Sequence, residues 1–276
     1  MILTPTDGRY IWISTTAILG EPFEFETVQT NPKGEIIHRE IKTAQYFREN
    51  LGNDIFIDML IIPGGTFRDV PMPPFFMSKT PITQAQWNVV KELPKIKIDL
   101  PESPFRFKGP KRPVEQVNWW QAEEFCKRLA NVTRRNYRLP SETEWEYACR
   151  SGTTTSYYFG ETLTQEVANY DSLETTNVAQ YFANAWGLYD MHGNVWEWCS
   201  DHWRSDFETV LHDSNPFISN DKDPYRVIRG GAWSLDSLDC QSNSRIGATP
   251  EIDLLYFLDD LGFRLACSST LTIPSD

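Results

Sequence analysis

Apolar positions come in short runs whose period changes repeatedly along the chain. Ile55–Ile62 reads as a strand stopped by Pro63-Gly64-Gly65. Upstream, Phe23–Val28 and Glu35–Ile41 flank an Asn31-Pro32-Lys33-Gly34 turn, the signature of a β-hairpin or small meander, and Tyr10–Ile13 is also strand-like. Residues 1–48 are therefore set apart as an N-terminal extension that either covers a sheet edge or meets a partner. Helical spacing is predicted in three places. Thr83 caps a short helix through Lys91, with Trp87 and Val90 on one face. Asn118, with Gln121 at the capping-box position, opens a helix to about Asn131 whose apolar face carries Ala122, Phe125, Cys126 and Leu129. Ser141 with Glu144 repeats the box and starts a helix through about Arg150 that carries Trp145. A Pro-rich, basic loop spans Pro94–Pro113, and from Ser151 onward only short strands and long loops are legible. The reading is an α+β, loop-rich domain over 49–268 with short helices, an antiparallel sheet and a tail at 269–276. Long loops inside a compact domain need a function or an internal staple. A hard cation is one staple that suits an acidic chain rich in Asn and Gly.

Composition narrows the function classes. The 276 residues are 40% apolar and 23% charged, as in an ordinary globular chain, and include 10 Trp, 11 Tyr and 16 Phe. A net charge of −12 argues against nucleic acid or an anionic membrane surface as the main partner. No apolar run approaches the roughly 20 residues that span a bilayer, and MILTPTDGRYIWIST lacks the layout of a secretion signal. Cys126, Cys149, Cys199, Cys240 and Cys267 are an odd number, widely spaced and without a CxxC pair, so a reducing cytoplasm is expected.

Seven phrases follow one another in order: Ile62-Pro63-Gly64-Gly65-Thr66-Phe67; Pro81-Ile82-Thr83-Gln84-Ala85-Gln86-Trp87; Pro113-Val114 with Val117-Asn118-Trp119; Tyr137 through Ala148 (YRLPSETEWEYA); Gly187 through Trp198 (GLYDMHGNVWEW); Arg226 through Trp233 (RVIRGGAW); and Leu261-Gly262-Phe263-Arg264-Leu265. Together, over about residues 50–267, they resemble the formylglycine-generating-enzyme (sulfatase-modifying factor) family, whose fold is C-type-lectin-like. Arg138, Arg245 and Arg264 lie among apolar neighbours, where guanidinium groups are expected to tie loops to carboxylates.

The resemblance implies an oxidase that holds copper between two cysteines near the C-terminal end. Aligned on Gly230-Gly231, those positions are Leu235 and Cys240, and Leu235 offers no ligand atom, so no copper is expected and Cys240 is the only candidate for a catalytic thiolate. The family's disulfide positions pair Cys126 and Cys149 with Leu265 and Arg245, although Cys267 leaves a Cys126–Cys267 bond open. An iron-dependent sulfoxide synthase shares the fold, but His38, His192, His202 and His212 contain no HxxxH pair to supply its three-histidine site.

The stretch 229–264 is distinctive. Leu254-Leu255-Tyr256-Phe257-Leu258 fits neither a period of two nor of 3.6, so it is either core or a contact surface. The stretch also resembles the variable region of diversity-generating-retroelement proteins, a non-catalytic branch in which adenine-randomised Asn-type codons cannot yield Lys, Glu, Gln, Met or Trp. Ser234–Asp239, Ile246–Ala248 and Ile252–Asp260 contain none of these, between the anchors Gly230-Gly231, Cys240, Arg245, Pro250 and Gly262-Phe263-Arg264. The alternatives are an ordinary family member with its own loop, an oxygen- and copper-dependent oxidase that converts a protein cysteine to formylglycine with Cys240 as its only thiolate, or a structural accessory domain of the family. On the variable reading, Trp233, Ser234, Leu235, Asp236, Leu238, Asp239, Ser244, Ile246, Leu254, Leu255, Tyr256, Phe257 and Leu258 contact an unidentified protein or small-molecule ligand, aromatic and aliphatic anchors being ringed by carboxylates. The resemblance further implies a calcium site at Asp190, Gly193, Val195 and Glu197; the other reading is that the two carboxylates pair with arginines. His192 beside them is expected to be a packed imidazole rather than a ligand, since hard cations prefer oxygen.

Overall fold

A computed structural model describes residues 22–205, 214–219, 225–251 and 259–268. Tyr10–Ile13 and Leu254–Leu258 lie outside these residues. The chain opens with β1 (Phe23–Thr30) and β2 (Ile36–Ala44), an antiparallel pair closed by the Asn31–Gly34 turn, in which the Asn31 carboxamide oxygen accepts from the amides of Lys33 and Glu35. Phe25 and Val28 face inward. The hairpin lies on the 157–187 loop: Thr30 N–H donates to the Phe159 carbonyl at 2.8 Å and Ala183 N–H to the Glu26 carbonyl at 3.2 Å. Gly187, at φ +88°, passes so close to Phe23, Phe25 and Ala44 that a side chain there would crowd all three.

Next come β3 (Tyr46–Gly52), which crosses position 48, β4 (Ile55–Ile62), β5 (Gly65–Phe67), β6 (Val70–Met72) and β7 (Phe75–Ser78). The three helices follow with their expected caps: α1 (Gln84–Val90) behind Thr83, α2 (Trp119–Thr133) behind Asn118 and α3 (Glu142–Arg150) behind Ser141. All three carry both halves of the capping box; α2 continues two residues past Asn131 and ends at Arg134 in the left-handed region. Between and after the helices stand β8 (Tyr137–Arg138), β9 (Trp196–His202), β10 (Arg226–Arg229), β11 (Arg245–Ala248), β12 (Leu261–Gly262) and β13 (Ala266–Ser268).

Two main sheets organise the domain. One has the order β3-β4-β7-β13-β8 and the other β11-β10-β9-β12. The last strands thus divide between the sheets: β12 runs parallel to β9, and β13 is antiparallel to both β7 and β8. The core has two lobes. Trp87, Phe125, Trp198 and Phe263 centre one, with Trp87 stacked on Phe125 at 5.8 Å; Trp145, Met77, Leu188 and Cys199 centre the other. The five described cysteines are all free and buried, so Cys126 and Cys267 do not pair.

The expected arginine pairing is present in each case. Arg138 grips Glu144, Arg245 grips Glu142, and Arg264 grips Glu197 through Nε–Oε2 at 2.6 Å and Nη2–Oε1 at 2.8 Å. Arg229, fully buried, joins β10 to Glu142 and Glu146 of α3. These pairs carry loop-to-element contacts that short strands cannot supply through backbone ladders alone.

Candidate binding face and its supports

Trp233 through Asp239 form one turn after the Gly230-Gly231 pair. Trp233 is the anchor: nearly buried, it donates from Nε1 to the Asp259 carbonyl at 3.1 Å and meets the Phe107 ring edge-on at 5.2 Å. Ser234 is exposed and donates from its hydroxyl to Asp260 Oδ2 at 2.8 Å. Leu235 packs partly against the core, and its carbonyl accepts from Asp171 N–H at 2.8 Å. Asp236 is exposed and caps the Leu238 amide at 2.8 Å, leaving Leu238 67% exposed. Asp239 is half-buried, and its carboxyl is raised by burial and then by Asp236. The Tyr157 hydroxyl fastens the turn from below by donating to the Ser237 carbonyl at 2.6 Å.

Ile246 lies on β11, and Ser244 directly precedes that strand. The Ser244 carbonyl accepts from Arg229 at 2.6 Å; Ile246, on the edge strand β11, is 41% exposed. Arg245 reaches under β11, 4.0 Å from the Trp203 ring centroid. The structure therefore brings Trp233–Asp239 into one surface and places Ile246 on the edge strand β11, with Ser244 immediately before it.

Phe107 and Arg106 join this face without any sequence signal. They belong to the Pro-rich loop; Phe107 meets Trp233, and Arg106 pairs with Asp259, 153 residues away. Glu115 holds that loop, Oε1 accepting from the amides of Arg106 at 2.5 Å and Phe107 at 2.9 Å. Its Oε2 is buried without a partner, and burial pushes the carboxyl up to about 8. A basic loop is visible in the sequence, but a contact at such separation has no periodic signature.

Cys240 sits behind the turn, fully buried, and burial pushes its thiol up to about 12. Gly231, at φ +71°, packs directly on its sulfur, and any side chain there would overlap it. The Cys240 carbonyl is bonded to His192 Nδ1 at 2.7 Å, while His192 Nε2 accepts from the Tyr158 amide at 3.1 Å. Both ring nitrogens are thus engaged in the neutral form, and burial pushes this imidazole down to about 3.

At the expected cation position the two carboxylates differ. Glu197 is answered on both oxygens by Arg264 and on Oε2 also by Trp145 Nε1 at 2.6 Å. Asp190 Oδ2 accepts from the Ala179 amide at 2.8 Å, but Oδ1 is buried with no partner, and burial pushes the carboxyl up to about 6. Among the described residues no cluster of three or more acidic, His or Cys side chains is present, so any ion here leans on backbone carbonyls. Asp190's unanswered oxygen fits a cation; Glu197 already has one in Arg264.

Residues 48–269 match the sulfatase-modifying factor enzyme 1-like domain. The chain belongs to this family. Pkn1 of Chlamydia trachomatis, a serine/threonine-protein kinase by name, is 29% identical over 270 residues, spanning 84% of this chain and 43% of that protein. The formylglycine-generating enzyme of Streptomyces coelicolor is 31% identical over 190 residues, spanning 60% of this chain and 56% of the enzyme. The chain thus covers less than two thirds of either relative. Among solved structures, Treponema denticola variable protein 1 is similar with a TM-score of 0.63 at 26% identity, covering 78% of this chain and 96% of that one. PvdO from Pseudomonas aeruginosa is similar with a TM-score of 0.65 at 25% identity, covering 76% and 94%. The sulfatase-modifying factor family includes enzymes, and its fold, α+β and C-type-lectin-like, is shared with variable proteins.

Proposed function

We propose that this member of the family is a non-catalytic binding protein whose diversified segment, 229–264, presents a recognition face for a protein or small-molecule ligand. One observation carries the reading: position 235 holds a leucine, and the thiol at 240 is buried, neutral and packed on Gly231. A Cu(I) site needs two soft ligands within reach, and a protonated thiol beside a hydrocarbon is not one. The likeness to Treponema denticola variable protein 1 supports the same branch. Trp233, locked by Phe107 and Asp259, would act as the rigid platform, with Leu238 and Ile246 as exposed apolar contacts and Ser234, Asp236 and Asp239 as the polar rim. Such a face favours partners that offer apolar groups with some positive charge. Five unpaired thiols suit the cytoplasm as its compartment.

Copper titration tests the catalytic point. The expectation is no stoichiometric Cu(I) uptake and no aldehyde formed on a cysteine-bearing peptide under air. Tight uptake that Cys240→Ser abolishes would overturn the reading. The diversification point has its own test in the surrounding DNA, where a near-copy of the segment encoding 229–264, with adenines at the divergent codons, should lie beside a reverse transcriptase.

A calcium ion held by Asp190 and the Gly193 and Val195 carbonyls, with Glu197 left on Arg264, is the second part of the proposal, supported by the unpartnered Oδ1 of Asp190. The ion would neutralise that oxygen and tie the loop before β9. Calcium should raise the melting temperature relative to chelator, and Asp190→Asn should lose the difference; equal melting of wild type with and without calcium removes the ion from the scheme.

A further inference from the structure

We propose that a cavity between the β5–β6 turn and the C-terminal end of α3 binds a small organic anion, an apolar body bearing a carboxylate or phosphate head. The cavity encloses about 340 Å³ and lies apart from the Trp233 face in sequence and in lining, within the size range of small-molecule sites. Its lining combines two aromatic residues with two arginines. Phe67 and Tyr147, whose rings stand 5.9 Å apart at 56°, line it together with Arg68, Arg150, Thr153 and Thr154. None of the described residues lining it is acidic.

The arginines are held in place from behind. Glu146 Oε1 accepts from Arg68 at 2.6 Å and from Arg150 Nε at 2.8 Å, while Oε2 takes Arg229, so one buried carboxylate orients three guanidinium groups. Arg150 is further fixed by its Nη1 on the Thr155 carbonyl at 3.0 Å. Burial alone would raise the Glu146 carboxyl, but Arg229, Arg68 and Arg150 outweigh it and hold the group below its ordinary range. Arg68 sits at φ +48°, a left-handed backbone that costs a non-glycine residue energy, and this turn holds its guanidinium 5.2 Å from the Phe67 ring centroid. The negative end of the α3 dipole opposes an anion here, but Arg150 in the last turn offsets it. Preset cations and ring walls reduce the ordering cost of binding, which suits a ligand of modest size.

The test is calorimetric titration of the whole chain with phenyl phosphate, with benzoate and with the neutral analogue benzyl alcohol. At least one anion should bind saturably and benzyl alcohol should not; binding of only one anion identifies the head group as phosphate or carboxylate. Arg68→Gln should weaken that binding by about tenfold or more, the worth of one charge-assisted contact. Thr154→Glu, which adds a carboxylate to the lining, should weaken it similarly while circular dichroism stays that of wild type. Absence of saturable binding by both anions overturns the proposal. So does equal affinity for benzyl alcohol, or wild-type affinity in both folded variants. The result is independent of the copper and retroelement tests of the C-terminal face.

Discussion

Replacing Arg264 with methionine tests the claim that buried ion pairs, rather than sheet ladders, hold the C-terminal strands in place. Arg264 and Glu197 are both fully buried. The pair is bidentate, at 2.6 and 2.8 Å, and Arg264 also donates to the carbonyls of Ser78 at 3.2 Å and Tyr189 at 2.9 Å. Methionine fills much of the volume but leaves Glu197, among the described residues, with Trp145 as its remaining side-chain donor and with Asp190 nearby. Breaking a buried pair in this way costs about 3–5 kcal/mol. For a chain of this size, that is a fall in melting temperature of roughly 6–20 °C. The assay is urea denaturation of wild type, Arg264→Met, Glu197→Gln and the double variant. The double variant should recover a substantial part of either single loss, because no charge is then buried alone. A single-variant loss below about 1 kcal/mol, or strictly additive losses, would refute the reasoning.

The remaining predictions concern the face and its supports. Leu238→Ala and Asp236→Ala should each change stability by less than about 0.5 kcal/mol, since both side chains are exposed; a larger loss by denaturation would mean they serve the fold rather than a partner. Glu115 sets a pH dependence: its folded carboxyl, near 8, lies above its unfolded value, so the native state keeps a proton that the unfolded chain has lost, and stability falls as pH rises toward 8. Asp201, pushed up to about 7, adds the same slope below that pH, whereas His192 acts oppositely but only below about 6.5. Acidifying from pH 8 to 6.5 should therefore stabilise wild type by about 1–2 kcal/mol, and Glu115→Gln should flatten most of this; an unchanged slope in the variant contradicts the assignment. All five thiols should resist a disulfide reagent until denaturant is added, because each is buried and raised above its ordinary value; a fast-reacting native Cys240 would expose a thiolate that the packing excludes.

The sequence by itself determined the local signals and the family. Capping boxes at Thr83, Asn118 and Ser141 place the helix starts, because a cap is a contact between residues three apart. The strand Ile55–Ile62 is bounded by its own breaker residues, and the leucine at position 235, where the resemblance implies a second thiol, is a matter of residue type alone. Tertiary structure decided which carboxylate each arginine meets, that Phe107 braces Trp233, and that one of the two carboxylates expected at the cation site is already neutralised by Arg264. It also decided that Ile246 stands on β11, with Ser244 just before that strand, apart from the Trp233 turn, and that Arg68 and Arg150 share Glu146 behind one cavity. Apart from the local pairs Arg150–Glu146 and Arg138–Glu144, these are contacts across many tens of residues, in loops without periodicity. Side-chain pairing at that range depends on how the two sheets and α3 close on one another, and composition and local spacing carry no record of it.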